Sequence, residues 1–217
     1  MKRFLLLAGC LLSWTLLSAQ EKTSIPQDVF YLLPEFAPGA VYYQGKLPIQ
    51  AQLNICAVDN SVRFKDKDGK ELAADDTDLV QVTIGDATFV RDENRFLRLY
   101  PVADDVSIAV YRNVLILNDT KTSGYGGQSQ TTAVTQFDSF RSDGKLYTLD
   151  EIKELPFQMT ETASLCRGRS IMALNKRNLL KCFPNSKEAI ETYFKTHKNL
   201  PVTDIPAVME LCRGWAQ

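Results

Sequence analysis

The sequence predicts an α+β protein: a mainly antiparallel β-sheet, folded as a sandwich or partly closed barrel, followed by a small C-terminal helical segment. Three observations carry this. Apolar residues alternate with polar ones through Ile49, Ala51, Leu53 and Ile55, the period of two that gives a strand one buried and one wetter face. Short runs of the same kind recur at close spacing to about residue 148, punctuated by turn residues such as Gln44-Gly45-Lys46, Asp59-Asn60-Ser61 and Asp68-Gly69. After Leu149 the apolar period lengthens to that of helices, so strands come first and helices after, the order of an α+β chain.

Residues 1–19 read as a secretory signal peptide. Met1-Lys2-Arg3 is basic, Phe4 to Leu17 is apolar, and Leu17-Ser18-Ala19 ends on a small residue. Leu7-Ala8-Gly9-Cys10 also spells a lipobox-like run, which would make Cys10 a lipid anchor. The apolar run continues after it from Leu11 to Leu17, whereas a lipid-anchored chain begins with a polar tether; cleavage after Ala19 is the preferred reading. The chain is therefore expected to be exported, to the periplasm or the cell surface. The mature part divides into an antiparallel β domain over 20–148 and a helix-containing segment over 149–217 packed on it.

Taken in order, Glu21 to Pro38 is a lead-in broken by Pro26, Pro34 and Pro38, with Asp28 to Leu33 apolar enough to pack as a short strand or turn. Strands follow at Ala40–Tyr43, Ile49–Cys56, Val62–Lys65, Glu71-Leu72, Leu79–Ile84, Ala87–Val90 and Phe96–Tyr100. Val106–Tyr111 and Val114–Leu117 read as two strands parted by Arg112-Asn113, the second apolar enough to be covered on both faces. Thr120 to Gln130 is a loop, and strands resume at Thr132–Phe137 and Lys145–Thr148 about the Ser142-Asp143-Gly144 turn. Leu149 to Leu155 offers one helical turn before Pro156, and Phe157 to Thr162 a last strand. Asn175 can cap a helix running to Cys182. Asn185 and Glu188 have the spacing of a capping box before a helix with Ala189, Ile190, Tyr193 and Phe194 on one face. A final helix from about Thr203 aligns Ile205, Val208, Met209 and Cys212, with Pro206 in its first turn.

At 45% hydrophobic and 24% charged residues the composition is that of an ordinary globular protein. Taking Lys2 and Arg3 from 25 basic residues leaves 23 against 26 acidic ones, a net charge of −3, which gives no reason to expect nucleic acid or an anionic membrane surface as partner. No later segment approaches the roughly 18 apolar residues a membrane span needs, so no transmembrane span is expected in the mature chain. Cys56, Cys166, Cys182 and Cys212 remain, an even number that an exported chain can oxidise. The Cys-Arg-Gly triplet occurs twice, and a Cys166–Cys212 bridge would tie the last helix to the end of the sheet. The alternatives are that the thiols are buried apolar residues, or that one is a low-pKa redox thiol beside its arginine.

The Val41-Tyr42-Tyr43 strand, the Leu53-Asn54 strand with its following Phe64, and Leu179-Leu180-Lys181-Cys182-Phe183-Pro184 before an amphipathic helix together resemble a family of exported proteins of Gram-negative bacteria. That resemblance implies location and fold; the family has no assigned chemistry, so no catalytic residue is carried over.

The residues that carry chemistry elsewhere are sparse here. His197 is the single histidine and sits among Lys195, Lys198 and Asn199 at a helix end, a poor place for a Ser-His-Asp or Cys-His unit. The cysteines lack a Cys-x-x-Cys pair, and the acidic stretch Asp66 to Asp78 fails the EF-hand spacing, because Gly69 at the sixth position puts Phe64 at the first. Gly124-Tyr125-Gly126-Gly127 lacks the Gly-Lys-Ser/Thr of a phosphate loop; as an exposed aromatic loop, Tyr125, Gly126 and Gly127 form the candidate contact site. Tyr42, Tyr43, Tyr100 and Tyr111 would line a glycan- or peptide-binding face, or pack across strands. No catalytic, metal-binding or cofactor-binding residue is assigned, and no cofactor is expected. The leading reading is a non-enzymatic exported binding or structural protein of the cell envelope, its partner an envelope protein or a glycan. The rivals are a carboxylate-dependent hydrolase of the glycosidase type, and a protein that pairs through an exposed sheet edge.

Overall fold

The structure, a computed structural model, describes residues 27–118, 121–122, 128–129, 133–135, 141–142, 145–146 and 157–216. The leader with Cys10, the contact loop at Tyr125, Gly126 and Gly127, the Asp143-Gly144 turn and the helical turn expected over 149–155 lie outside these residues. The first half of the chain forms α1 (Gln27–Phe30), β1 (Ala37–Tyr43), β2 (Ile49–Cys56), β3 (Ser61–Lys65), β4 (Glu71–Ala73), β5 (Leu79–Ile84), β6 (Ala87–Asp92), β7 (Arg95–Ala103) and β8 (Val106–Asn118). The short strands β9 (Lys121–Thr122), β10 (Gln128–Ser129), β11 (Ala133–Thr135), β12 (Arg141–Ser142) and β13 (Lys145–Leu146) follow. Then come β14 (Phe157–Arg167), β15 (Ser170–Met172), α2 (Lys176–Cys182), α3 (Lys187–Thr196) and α4 (Ile205–Trp215).

Ten strands make one open antiparallel sheet in the order β15-β14-β8-β7-β6-β5-β1-β2-β3-β4, and β11 joins it beside β8. The mainly antiparallel sheet with C-terminal helices expected from the sequence is therefore present. The 149–217 segment supplies two strands of this sheet as well as the helices that pack on it. Both edge strands, β4 and β15, are three residues long, which leaves little free ladder for another strand to join.

Several strands differ from expectation, among them the β9–β10 pair inside the span read as a loop. Arg112-Asn113, read as the break between two strands, lies inside the continuous 13-residue β8, where Arg112 faces Glu161 of β14 and Nε donates to Oε1 at 2.8 Å. A cross-strand ion pair lets polar residues occupy a ladder. The Cys166-Arg167-Gly168 triplet is a hairpin corner, with Gly168 at φ 59°, and it turns β14 into the unanticipated β15. In the first sheet half, Gly39 is paired on both sides, to Ala51 and to Ile84. A Cβ there would run into the Thr83 carbonyl oxygen, so only glycine lets β1 lie flat between its neighbours.

The alternation built most of the core, although Ile49 at the start of β2 is exposed and Leu53 to Cys56 are all buried. Val41, Leu53, Ile55, Val82, Ile84, Phe89 and Phe96 form one buried cluster over β1 to β7. Further along the sheet, Val106, Ile108, Val110, Ala163 and Leu165 receive Leu179, Ile190, Val208, Cys212 and Trp215 from the helices. Burying one such side chain completely contributes roughly 1.5–3 kcal/mol, so this face holds the helices on. Asn175 caps α2, accepting from Asn178 N at 2.9 Å, as expected. Asp204 caps α4 by accepting from Ala207 N at 3.1 Å. The capping box expected at Asn185 is absent: a 3₁₀ turn, Pro184–Ser186, precedes α3, and Ser186 Oγ donates instead to Trp215 O at 2.7 Å, tying α3 to the end of α4.

The lead-in is the least expected part. After one helical turn, Tyr31 bridges to Cys56, and Phe30, Tyr31 and Leu32 pack against Cys56, Val58, Val114 and Phe157. Residues of β2, β8 and β14 therefore gather around the lead-in, although β8 and β14 stand five and six places from β2 in strand order, which requires the sheet to curl strongly about it. Asn54, predicted on a wetter face, is fully buried beneath it. Its Nδ2 donates to Leu33 O at 2.9 Å and Glu35 O at 3.1 Å, while Oδ1 accepts from Leu33 N and Ile55 N. One amide side chain so does the work of a strand's backbone and pins a segment too proline-rich to form a strand itself. Among the described residues no helix is long and apolar enough to cross a membrane.

Candidate functional site

Two features concentrate chemistry: a buried charge cluster under the lead-in, and a groove between α3 and α4.

The cluster is built on Arg63 of β3, which stands opposite Asn54 on the sheet face that the lead-in covers and is 1% exposed. Nη1 donates to Glu71 Oε1 at 2.7 Å, Nη2 to Asp59 Oδ2 at 3.0 Å, and Nε to Ser61 Oγ at 3.2 Å. The guanidinium carbon lies 5.3 Å from the Phe30 ring centroid, so the lead-in closes the site with a cation–π contact. Tyr31 OH reaches both carboxylate oxygens of Glu71 at 2.8 Å, and Ser61 Oγ donates to Asp59 Oδ1 at 2.6 Å. Burial raises the Tyr31 phenol above its ordinary value of 10.0, and the bond to Glu71 adds to this. Burial and then Asp59 raise the Cys56 thiol in the same way. Arg63 is held charged against burial by its ion pairs with Asp59 and Glu71. Two carboxylates do face one another here, as a glycosidase would need, but a guanidinium lies between them and both are committed to it. The cluster's chemistry is that of a clasp.

The groove arises from helix spacing. Tyr193 and His197 stand four residues apart at the end of α3, which puts them on one face. Their rings stack at 4.2 Å between centroids with 9° between planes. Trp215 closes the same wall edge-on to Tyr193 at 5.7 Å. Leu200 and Pro201 form the floor beside them, and Asn199 and Glu210 bring an amide and a carboxylate to the rim. The concavity has a free volume of about 910 Å³, and a second one of about 880 Å³, lined by Tyr100, Glu161, Met209 and Arg213, lies on the other flank of α4. Glu210 and Gly214 border both. A third basin of about 710 Å³ lies across β5 to β7, between Asp76 and Arg91 on one side and Arg169 on the other.

The residues singled out in the sequence fall as follows. The contact loop Tyr125, Gly126, Gly127 is outside the described residues. Cys166 and Cys212 form no bridge: both are free thiols and belong to different clusters. The strand period explains this, because Leu165 faces the helices and Cys212, whereas Cys166, the next residue, points to the other face and packs on Leu97 and Ala109. Burial raises both thiols, the reverse of a redox-activated cysteine, and Cys212 is pushed up to about 12. The acidic stretch is turn and ion-pair chemistry: Asp66 Oδ1 accepts from Asp68 N and Lys70 N at 2.9 Å, and Asp76 pairs with Arg91. Among the described residues no group of three His, Cys, Asp or Glu is placed to hold a metal.

The four tyrosines do not line one face: by register Tyr42 and Tyr111 lie on one side of the sheet, and Tyr43 and Tyr100 pack into the cores on the other. Tyr43 OH donates to Asp75 O at 2.8 Å, Arg98 lies over Tyr100, and Arg95 lies over Tyr111. His197 does end α3 as read, exposed, but stacked on Tyr193. Sequence reasoning missed Arg63, hidden in a strand that alternates regularly, and Trp215, the last aromatic residue of a helix whose stripe was traced only to Cys212. The three-residue step from Cys212 to Trp215 was the available clue. Compared with models of known families, with curated proteins and with solved structures, the chain finds no match.

Proposed function

We propose that this chain is a non-enzymatic exported binding or structural protein of the bacterial cell envelope, and that its contact site is the groove between α3 and α4. The observation that carries the reading is the groove's composition. Stacked Tyr193 and His197, with Trp215 beside them, offer rigid amphipathic surface, while Asn199 and Glu210 supply hydrogen-bonding groups at the rim. The volume is in the range of small-ligand sites, roughly 300–1,000 Å³. The two carboxylates, by contrast, are committed to Arg63 and offer no support to hydrolysis.

The test uses the tagged chain as bait for bacterial envelope extract, with mass spectrometry of the retained protein and saccharide. His197→Ala and Glu210→Ala serve as controls, since both side chains are exposed and neither holds the core. Retention that both variants lose supports the groove as contact site. Retention that neither variant weakens places the contact elsewhere and overturns the reading.

A further inference from the structure

The three concavities differ in charge. The basin across β5 to β7 carries Arg91 and Arg169, and the concavity on the far flank of α4 carries Arg213. The groove between α3 and α4 is lined by neither lysine nor arginine. Its acidic group is Glu210, exposed at the rim, and among the described residues that carboxylate makes no ion pair. Tyr193, His197 and Trp215 supply aromatic wall. The face of an aromatic ring is the negative part of its quadrupole, so rings and carboxylate favour the same sign of charge in a ligand. The floor beside them, with Leu200, Pro201 and Leu211, is apolar.

We propose, resting on the groove as the contact site, that it receives a basic side chain, lysine or arginine, presented by a protein partner. The cationic head lies against the aromatic wall and pairs with Glu210 at the rim. The aliphatic stem lies along Leu200, Pro201 and Leu211, since such stems bury on apolar surface while their charged heads keep to polar groups. The complementarity selects against other ligands. A carboxylate or phosphate would meet the like charge of Glu210. An amino sugar carries an ammonium but no aliphatic stem to match the floor. With a free volume of about 910 Å³, the groove also has room for the peptide on either side of the basic residue.

The experiment titrates the full chain carrying Trp14→Phe, which leaves Trp215 in the groove as its one tryptophan, and follows that fluorescence. The probes are the amides of Nα-acetyl-lysine and Nα-acetyl-arginine, with Nα-acetyl-norleucine amide as the uncharged stem and glucosamine as the ammonium without a stem. The expected result is a saturable change with both basic amides and binding about tenfold weaker for the norleucine amide. Glu210→Gln should weaken the basic amides about two- to fivefold, the scale of an exposed ion pair, and leave the norleucine amide unchanged. Glu188→Gln, exposed on α3 but outside the groove lining, should change neither. No saturable change with the basic amides, norleucine amide binding as tightly as they do, glucosamine binding more tightly, or affinities that Glu210→Gln leaves unaltered each overturns the proposal. The groove as contact site is judged apart from this, by whether His197→Ala and Glu210→Ala lose envelope retention.

Discussion

Replacing Arg63 by alanine removes the cation that Asp59 and Glu71 share, and its cost can be worked from their surroundings. The Asp59 carboxylate is 5% exposed and its Oδ2 depends on Arg63 at 3.0 Å. Glu71 is 27% exposed, so water replaces part of what it loses. Breaking a buried pair by removing one partner costs about 3–5 kcal/mol, because the remaining charge is stranded. The Asp59 half sets that scale here, and the lost Phe30 stacking contact adds on the order of 1 kcal/mol. With a urea slope of about 2 kcal/mol/M for a domain of this size, the midpoint should fall by roughly 2 M. Tryptophan fluorescence and far-ultraviolet circular dichroism would follow the transition. The double variant Arg63→Ala with Asp59→Ala should be more stable than Arg63→Ala alone, since it removes the stranded charge with its partner. A loss under about 1 kcal/mol for the single variant, or additive losses in the double, would refute the reasoning: the carboxylates would then be solvated and the clasp unimportant.

Two further outcomes follow from the same geometry. Tyr31 is held protonated in the fold above its ordinary value of 10.0, so the unfolded state loses that proton first and stability is lost as pH rises past about 10. Tyr31→Phe should therefore show a shallower alkaline fall in urea midpoint than the wild type, and parallel curves would mean the phenol is not buried as described. Gly39→Ala drives a methyl group into the Thr83 carbonyl between two paired strands, and should cost about 1–3 kcal/mol in the same assay.

Much of the architecture was legible because it depends on local periodicity. The bounds read for Ile49–Cys56 are those of β2, and the residues of Leu79–Ile84 are those of β5. Asn175 caps its helix as its chemistry dictates. Where reading failed, the deciding partner was distant in sequence. Arg112-Asn113 has turn-like composition, and only Glu161, 49 residues later, makes it part of a strand. Asn54 and Arg63 occupy positions that a two-residue period assigns to solvent. They are buried because the lead-in, some 20–40 residues earlier, lies across them.

By itself, then, the sequence determined the period, the turns and the helix starts, since each depends on torsional preference and on side chains a few residues apart. Tertiary structure alone decided which faces would be covered, which charges would meet and which thiols would share a core. Those outcomes depend on how a sheet of ten strands curls. Curl gathers residues of β2, β8 and β14 around the lead-in and sets Phe30 over Arg63. No residue's local preference encodes that sum of small twists, so it becomes visible only when the whole sheet is assembled.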